Sequence, residues 1–153
     1  MYEYLDYTSP LDYFNDVVED YSVARSNHDK IVITEMNGSI YDPDVALPSD
    51  NLIIVNPNFK TKFSLPFRKF HELQHILNGE QHKTYAFSPL AKNDAEISAN
   101  AYALKMLADF YFDESTDRYS KIYDFMAYFG IPMSLESAVL KNIYISTLHK
   151  QLN

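Results

Sequence analysis

The stretch that decides the fold is Pro66–Gly79, which reads PFRKFHELQHILNG. Apolar residues recur along it at helical spacing. Pro66 suits the first turn of a helix, and Asn78-Gly79 suits a C-terminal end. The pattern predicts a single helix, which we call the motif helix.

Residues 71–75 of the motif helix read His-Glu-Leu-Gln-His, an H-E-x-x-H motif. Positions four apart differ by about 40° around a helix, so His71 and His75 face the same way and can bind one ion. Glu72 lies about 100° from His71, within reach of a water held by that ion. Because zinc acidifies such a water and polarises a peptide carbonyl, the motif predicts hydrolysis with Glu72 as general base. The alternative interpretation is a helix with two surface histidines and a salt-bridging glutamate.

A catalytic zinc usually has three protein ligands and one open position. His82 nearly completes the metzincin pattern H-E-x-x-H-x-x-G-x-x-H, but the glycine and His82 each arrive one residue late. Glu96 is the stronger candidate, because it lies in the first turn of the next predicted helix, as the glutamate ligand of gluzincins does. Asn100 follows one turn later and can hydrogen-bond His71 or the carboxylate. The alternative for Glu96 is a helix-terminal glutamate favoured by the helix dipole.

The rest of the chain predicts an α+β domain that spans residues 1–153. Ser9 and Pro10 mark the start of a helix that ends near Arg25 to Asn27. The other predictions are strands at Lys30–Met36 and Leu52–Asn56, loops at Tyr41–Ser49 and 80–92, and helices from Asn93 or Asp94 to Phe110, at Ser115–Phe129 and at Ser134–Leu148. On the first of these later helices the predicted apolar stripe is Ile97, Ala101, Leu104 and Ala108. Strands followed only by helices indicate segregated elements.

Composition excludes several classes of function. The 153 residues include no cysteine, which leaves histidine and carboxylates as metal ligands. Thirteen Lys and Arg against 21 Asp and Glu give a net charge of -8, which argues against nucleic-acid binding. Residues 1–24 hold six acidic residues and no Lys or Arg, predicting either a solvated acidic helix or a face that attracts a basic protein. No signal peptide or membrane span is evident, so we expect a cytoplasmic protein.

Two segments resemble the ImmA/IrrE family of zinc metallopeptidases. Residues 70–77, FHELQHIL, are similar to the family's HELGH-type helix, although Gln74 replaces the usual glycine. Residues 96–107, EISANAYALKML, are similar to its E-x-x-A-N-x-F-A-x-x-L-L helix. Weaker similarity covers roughly residues 30 to 145.

The resemblance implies a zincin-like (gluzincin) core with a small N-terminal β-sheet and a mostly helical remainder. It implies Zn²⁺ ligands at His71, His75 and Glu96, with Glu72 as the general base. It also implies that the Leu52–Asn56 strand borders the cleft and pairs with an extended substrate. Tyr85 and Tyr102 are candidates for stabilising an oxyanion, although packing is the simpler role for each.

Family members of the compact type are encoded in prophages and other mobile elements. The resemblance therefore implies a cytoplasmic zinc endopeptidase that cleaves a helix-turn-helix repressor or antitoxin-type regulator encoded nearby, without direct contact with nucleic acid or membrane. The competing hypothesis is a metal-binding interaction module that sequesters a regulatory partner without proteolysis.

Overall fold

Four short strands and five α-helices make up the computed structural model, which describes residues 9–79, 83–113 and 117–152. In chain order they are α1 Pro10–Val23, β1 Val32–Glu35, β2 Val45–Leu47, β3 Leu52–Val55, α2 Leu65–Leu77, β4 Tyr85–Ala86, α3 Asp94–Tyr111, α4 Ile122–Phe129 and α5 Glu136–Leu152. The strands form one sheet and most other described residues are helical, so the predicted α+β class is confirmed. Among the described residues, no helix combines the length and apolarity that crossing a membrane requires.

The sheet is mixed and has the strand order β1-β3-β2-β4. β1 runs parallel to β3, whereas β2 is antiparallel to both β3 and β4. β2 lies in the predicted loop Tyr41–Ser49 and β4 lies in the predicted loop 80–92, so both loop predictions were wrong at these strands. Strands of three and two residues are too short to show an alternating pattern. Pro43 and Pro48 flank β2 and do not interrupt its pairing.

β3 confirms the predicted strand Leu52–Asn56, but it lies inside the sheet. Its backbone pairs with β1 on one side and with β2 on the other. The prediction that this strand pairs with a substrate was therefore wrong, because its hydrogen-bonding groups already face two neighbours. Within the described part of the chain the outer strands are β1 and β4.

The structure confirms the predicted caps Ser9 and Asn93 and adds Ser64, which the sequence did not predict, before the motif helix. Ser9, Ser64 and Asn93 precede α1, α2 and α3, and each side-chain oxygen accepts a hydrogen bond from the backbone N–H three residues later. The motif helix is α2, which begins at Leu65, one residue before the predicted start. Gly79 follows its end with a φ of +69°, a backbone conformation in which glycine meets no Cβ clash.

The last two helices begin later than predicted. A 3-10 turn, Tyr119–Lys121, precedes α4, and the predicted start at Ser115 lies outside the described residues. A second 3-10 turn, Met133–Leu135, precedes α5 and replaces the predicted start at Ser134. Helix ends often tighten into such turns, which hydrophobic spacing alone does not distinguish from α-helix.

The buried face of α3 differs from the predicted stripe. Ile97 is 54% exposed, because the face that packs inward is rotated toward Glu96 and Asn100. The buried residues of α3 are Glu96, Ala99, Asn100, Ala103, Leu104, Leu107 and Ala108. Ala99 and Ala103 are fully buried, and such small side chains let two helices approach closely. The face of α3 that carries the predicted site residues Glu96 and Asn100 is thus also the face that packs into the protein interior.

Candidate metal centre

Two histidines of α2 and one glutamate of α3 meet in the protein interior. The Nε2 atom of His71 lies 2.8 Å from one carboxylate oxygen of Glu96, and the Nε2 atom of His75 lies 3.1 Å from the other. One ligand atom from each residue lies within 4.8 Å of the other two, close enough for all three to hold one ion. All three side chains are buried. The structure thus brings together the three side chains that the sequence predicted as metal ligands.

The packing of α2 against α3 positions these side chains. The helical spacing of four residues places His71 and His75 on one face of α2, turned toward α3. Gln74, which directly precedes His75, reaches across the same interface, and its Nε2 donates to Ser98 Oγ at 3.3 Å. The glutamine therefore adds a link between the two helices.

Asn100 makes the predicted contact with His71. Its Oδ1 lies 2.8 Å from His71 Nδ1, and its Nδ2 donates to the Pro89 carbonyl oxygen at 2.7 Å. Because the amide nitrogen is committed to a carbonyl, Oδ1 is the atom that faces the imidazole, and His71 Nδ1–H donates to it. The lone pair of a neutral His71 therefore lies on Nε2, the atom that faces Glu96.

The contact between His71 and Glu96 requires a positive charge. Burial lowers the pKa of His71 despite the opposing hydrogen bond and charge of Glu96, so the imidazole favours its neutral form. Burial alone would raise the pKa of Glu96, but its contacts with His71 and His75 lower it to about 2, so the carboxylate is ionised. A neutral Nε2 lone pair and an ionised carboxylate repel each other at 2.8 Å unless a cation lies near both. Two imidazoles and one carboxylate are a donor set of catalytic zinc, so the residues fit Zn²⁺.

His75 is held in a different way from His71. Its Nε2 has no aligned hydrogen bond within the described residues, despite lying 3.1 Å from Glu96. The Tyr85 ring stacks on its imidazole, with centroids 3.9 Å apart and planes inclined by 10°. The His71 ring meets the same imidazole at 72°, with centroids 5.2 Å apart. An unpaired buried nitrogen beside two other ligand atoms is what a metal ligand requires.

Glu72 lies beside the three ligands and is fully buried. Neither of its carboxylate oxygens has a hydrogen-bond partner within the described residues. Burial raises the pKa of Glu72 well above its usual value, and the charges of Asp44 and Glu96 raise it further, while Arg68 opposes the shift. Leaving a buried carboxylate unsatisfied is costly, so its environment indicates a partner that the described residues do not supply.

Asp44 and Arg68 form a buried ion pair that ties α2 to the sheet. Arg68 Nε donates to Asp44 Oδ2 at 2.6 Å, and Nη2 donates to Oδ1 at 2.8 Å. The backbone N–H of Asn56 also donates to Asp44 Oδ1, and that of Phe87 donates to the Asp44 carbonyl. Because the Phe87 ring packs edge-on against His71 at 4.9 Å, the ion pair aligns α2 with the segment that covers the metal ligands.

Sequence reasoning missed Asp44 and Phe87. Each lies in a predicted loop, and nothing in the local pattern links a loop carboxylate to an arginine on a distant helix. Tyr85 was a candidate for an oxyanion or, more simply, for packing, and the structure places its ring on His75. Tyr102 packs edge-on against Phe70, in keeping with a packing role. His82, the alternative third ligand, lies outside the described residues.

Comparison of the chain with protein-family models, with curated proteins and with solved structures gave no significant match. The chemistry of the site therefore rests on its own residues. Three of them can share one cation, and a fourth offers a buried carboxylate with no partner in the described chain. If the three hold a cation, the arrangement is one that metal-assisted hydrolysis can use, with the carboxylate of Glu72 beside the ion.

Proposed function

We propose that this chain is a cytoplasmic zinc-dependent endopeptidase with a zincin-like (gluzincin) core, similar to the ImmA/IrrE peptidases. One observation carries the proposal: the Nε2 atoms of His71 and His75 lie 2.8 Å and 3.1 Å from the two carboxylate oxygens of Glu96, close enough for these acceptors to hold one ion. A bound cation relieves the repulsion between these acceptors and also satisfies His75 Nε2. The resemblance of the two helices to that family supports zinc as the cation.

Each residue of the site has a role in this proposal. Zn²⁺ bound by the two histidines and Glu96 would supply a Lewis acid that activates water and polarises a peptide carbonyl. Glu72 accepts the proton of the attacking water on a carboxylate oxygen and then delivers it to the leaving amine nitrogen. Its raised pKa suits a group that must gain and lose a proton near neutral pH. Asn100 keeps His71 in the tautomer whose Nε2 is free to bind metal.

The free edge of β4 is the strand edge that we propose for substrate pairing. The N–H of Phe87 donates to the carbonyl oxygen of Asp44, the residue before β2. Because the backbone groups of successive strand residues point to opposite sides, the N–H and C=O of Ala86 face away from the sheet. Ser88 Oγ donates to this outward carbonyl at 2.9 Å. Because β4 also carries Tyr85 against His75, an extended peptide paired with this edge would pass beside the metal ligands.

The substrate that we propose is a helix-turn-helix repressor or antitoxin-type regulator encoded nearby. α1 supplies surface charge of the right sign for such a basic partner. Its acidic residues are Asp12, Asp16, Glu19 and Asp20, and all four are exposed or half-buried. The acidic residues Glu3 and Asp6 of the same predicted surface lie outside the described residues. Opposite charges of this kind speed encounter more than they add affinity.

A metal-binding interaction module that sequesters the regulator without proteolysis is the second candidate function. The burial of the site favours it, because His71 and Glu72 are 0% exposed, His75 is 2% and Glu96 is 4%. A peptide carbonyl reaches these residues only if a covering segment moves. Binding of a partner at the surface requires no such access.

Replacing Glu72 by glutamine separates the two functions. The parent, incubated with zinc and the repressor encoded beside it, should yield one new cleavage site by mass spectrometry, and Glu72→Gln should yield none while it keeps its zinc. Glu35→Gln makes the same chemical change at an exposed position of β1, away from the acidic residues of α1, and should cleave like the parent. Relief of repression by Glu72→Gln equal to that by the parent would favour sequestration and contradict proteolysis.

A further inference from the structure

Tyr85 lies in a short strand but contacts the candidate metal centre directly. Its backbone pairs with fully buried Ala46 in β2, which fixes where the ring can lie. The ring lies on the imidazole of His75 with centroids 3.9 Å apart and planes inclined by only 10°. Among the ring pairs described in this structure, no other histidine contact is so close or so nearly parallel.

Each of the two candidate histidine ligands must be held in one orientation to bind a metal. A free imidazole rotates about its side-chain bonds, and a metal ligand must hold one nitrogen on target. Asn100 fixes His71 through a hydrogen bond to Nδ1. For His75, a flat aromatic surface restricts ring rotation, because any turn of the imidazole out of the stacking plane would collide with the tyrosine ring.

We infer that Tyr85 is a positioning residue, which holds the His75 imidazole by ring stacking so that its Nε2 faces the other two ligand atoms. This inference rests on the proposed metal site. The contribution comes from the aromatic ring and does not require the hydroxyl. Loss of the ring should therefore weaken metal binding, whereas loss of the hydroxyl alone should not.

The test compares Tyr85→Phe with Tyr85→Leu, using Zn²⁺ affinity and the visible absorption spectrum of bound Co²⁺, which reports coordination geometry. Tyr85→Phe should match the parent in both readouts. Tyr85→Leu should bind Zn²⁺ about tenfold more weakly, in the range found when groups that orient a metal ligand are removed. Its Co²⁺ spectrum should also differ from that of the parent.

Tyr111→Leu is the matched control for a general loss of packing. Tyr111 packs among Phe112, Phe125 and Phe129 and ends α3, about 22 Å along the helix from Glu96. Tyr111→Leu should lower the stability of the protein without changing its Zn²⁺ affinity or its Co²⁺ spectrum. If Tyr85→Leu does not fold, Tyr85→Ile supplies a β-branched residue suited to a strand and also lacks the ring.

Two results would overturn the inference. In one, the aliphatic variant binds Zn²⁺ with parental affinity and an unchanged Co²⁺ spectrum. In the other, Tyr85→Phe is as impaired as the aliphatic variant, which would assign the effect to the hydroxyl. Failure of the parent itself to bind Zn²⁺ is a different outcome, because it refutes the proposed metal site and not the role of one stacking ring.

Discussion

The Nε2 atom of His71 lies 2.8 Å from Glu96 Oε2, and when a neutral His71 donates its Nδ1–H to Asn100 Oδ1, both Nε2 and Oε2 are hydrogen-bond acceptors. Two acceptors at this distance need a proton or a metal cation between them. The lowered pKa of His71 makes the extra proton unfavourable at neutral pH. This contact is therefore the structural basis for proposing a metal.

Zinc should stabilise the fold. A ligand that binds only the folded state at about 100 times its dissociation constant adds about 2.7 kcal/mol. Thermal unfolding followed by circular dichroism should show a higher midpoint with Zn²⁺ than with a chelator. In Glu96→Ala the two midpoints should coincide, and a zinc effect of parental size in that variant would assign the binding to other residues.

Asn100→Leu should weaken zinc binding by about 10- to 100-fold, since it removes the acceptor that selects the His71 tautomer. The change also leaves the Pro89 carbonyl without its Asn100 donor. Gln74→Leu, on the same helix interface, is a suitable control, because the only described hydrogen bond of the Gln74 side chain is to Ser98 and does not involve a candidate ligand. Titration calorimetry measures both affinities, and equal values would contradict the role given to Asn100.

The metal-free protein should lose stability at high pH through Glu72. Its folded pKa is raised, so above its unfolded pKa near 4.5 the folded state retains a proton that the unfolded state has released. The contribution is therefore complete below that pH and falls by up to about 1.4 kcal/mol per pH unit above it. Glu72→Gln has no proton to lose, so its stability relative to the parent should rise with pH.

Urea unfolding of the two metal-free proteins at about pH 5 and about pH 8 measures this difference. Glu96 and His71 are present in both proteins, so their own pH dependence largely cancels in the comparison. A stability difference that stays constant across this range would show that Glu72 titrates at its ordinary pKa.

Gly130→Ala should be strongly destabilising. Gly130 has a φ of +67°, and an added Cβ would collide with the backbone carbonyl of Lys62. At the same junction Ser64, the N-cap of α2, donates its N–H to Phe129 at the end of α4. We expect a loss of several kcal/mol in urea unfolding. Gly79 also has a positive φ, but an added Cβ there meets no neighbour among the described residues, so Gly79→Ala should cost only about 1 kcal/mol.

The residues of the candidate metal centre were predictable because the sequence patterns that indicate them are local. The spacing of His71 and His75, the glycine after the motif helix and the asparagine before α3 all act within one or two helical turns. The position of Asn100 one turn after Glu96 likewise followed from helical geometry alone.

The features that the sequence did not predict depend on contacts between residues that are far apart in the chain. β2 exists because Ala46 has Ile53 on one side and Tyr85 on the other, and no pattern within three residues encodes that. Because of the same pairing, the outer strand on this side of the described sheet is β4, whereas β3 was expected from the sequence to be open for pairing. The buried ion pair of Asp44 and Arg68 could not be predicted either, because it joins a segment that was predicted to be loop to a helix.

The zinc content of matched Glu→Gln variants tests the central claim most directly. After loading and dialysis, elemental analysis should find about one zinc per chain in the parent and in Glu72→Gln, and nearly none in Glu96→Gln. This result is expected because the proposal makes Glu96 a ligand and Glu72 the base beside it. Equal zinc in both variants, or none in the parent, would contradict the account.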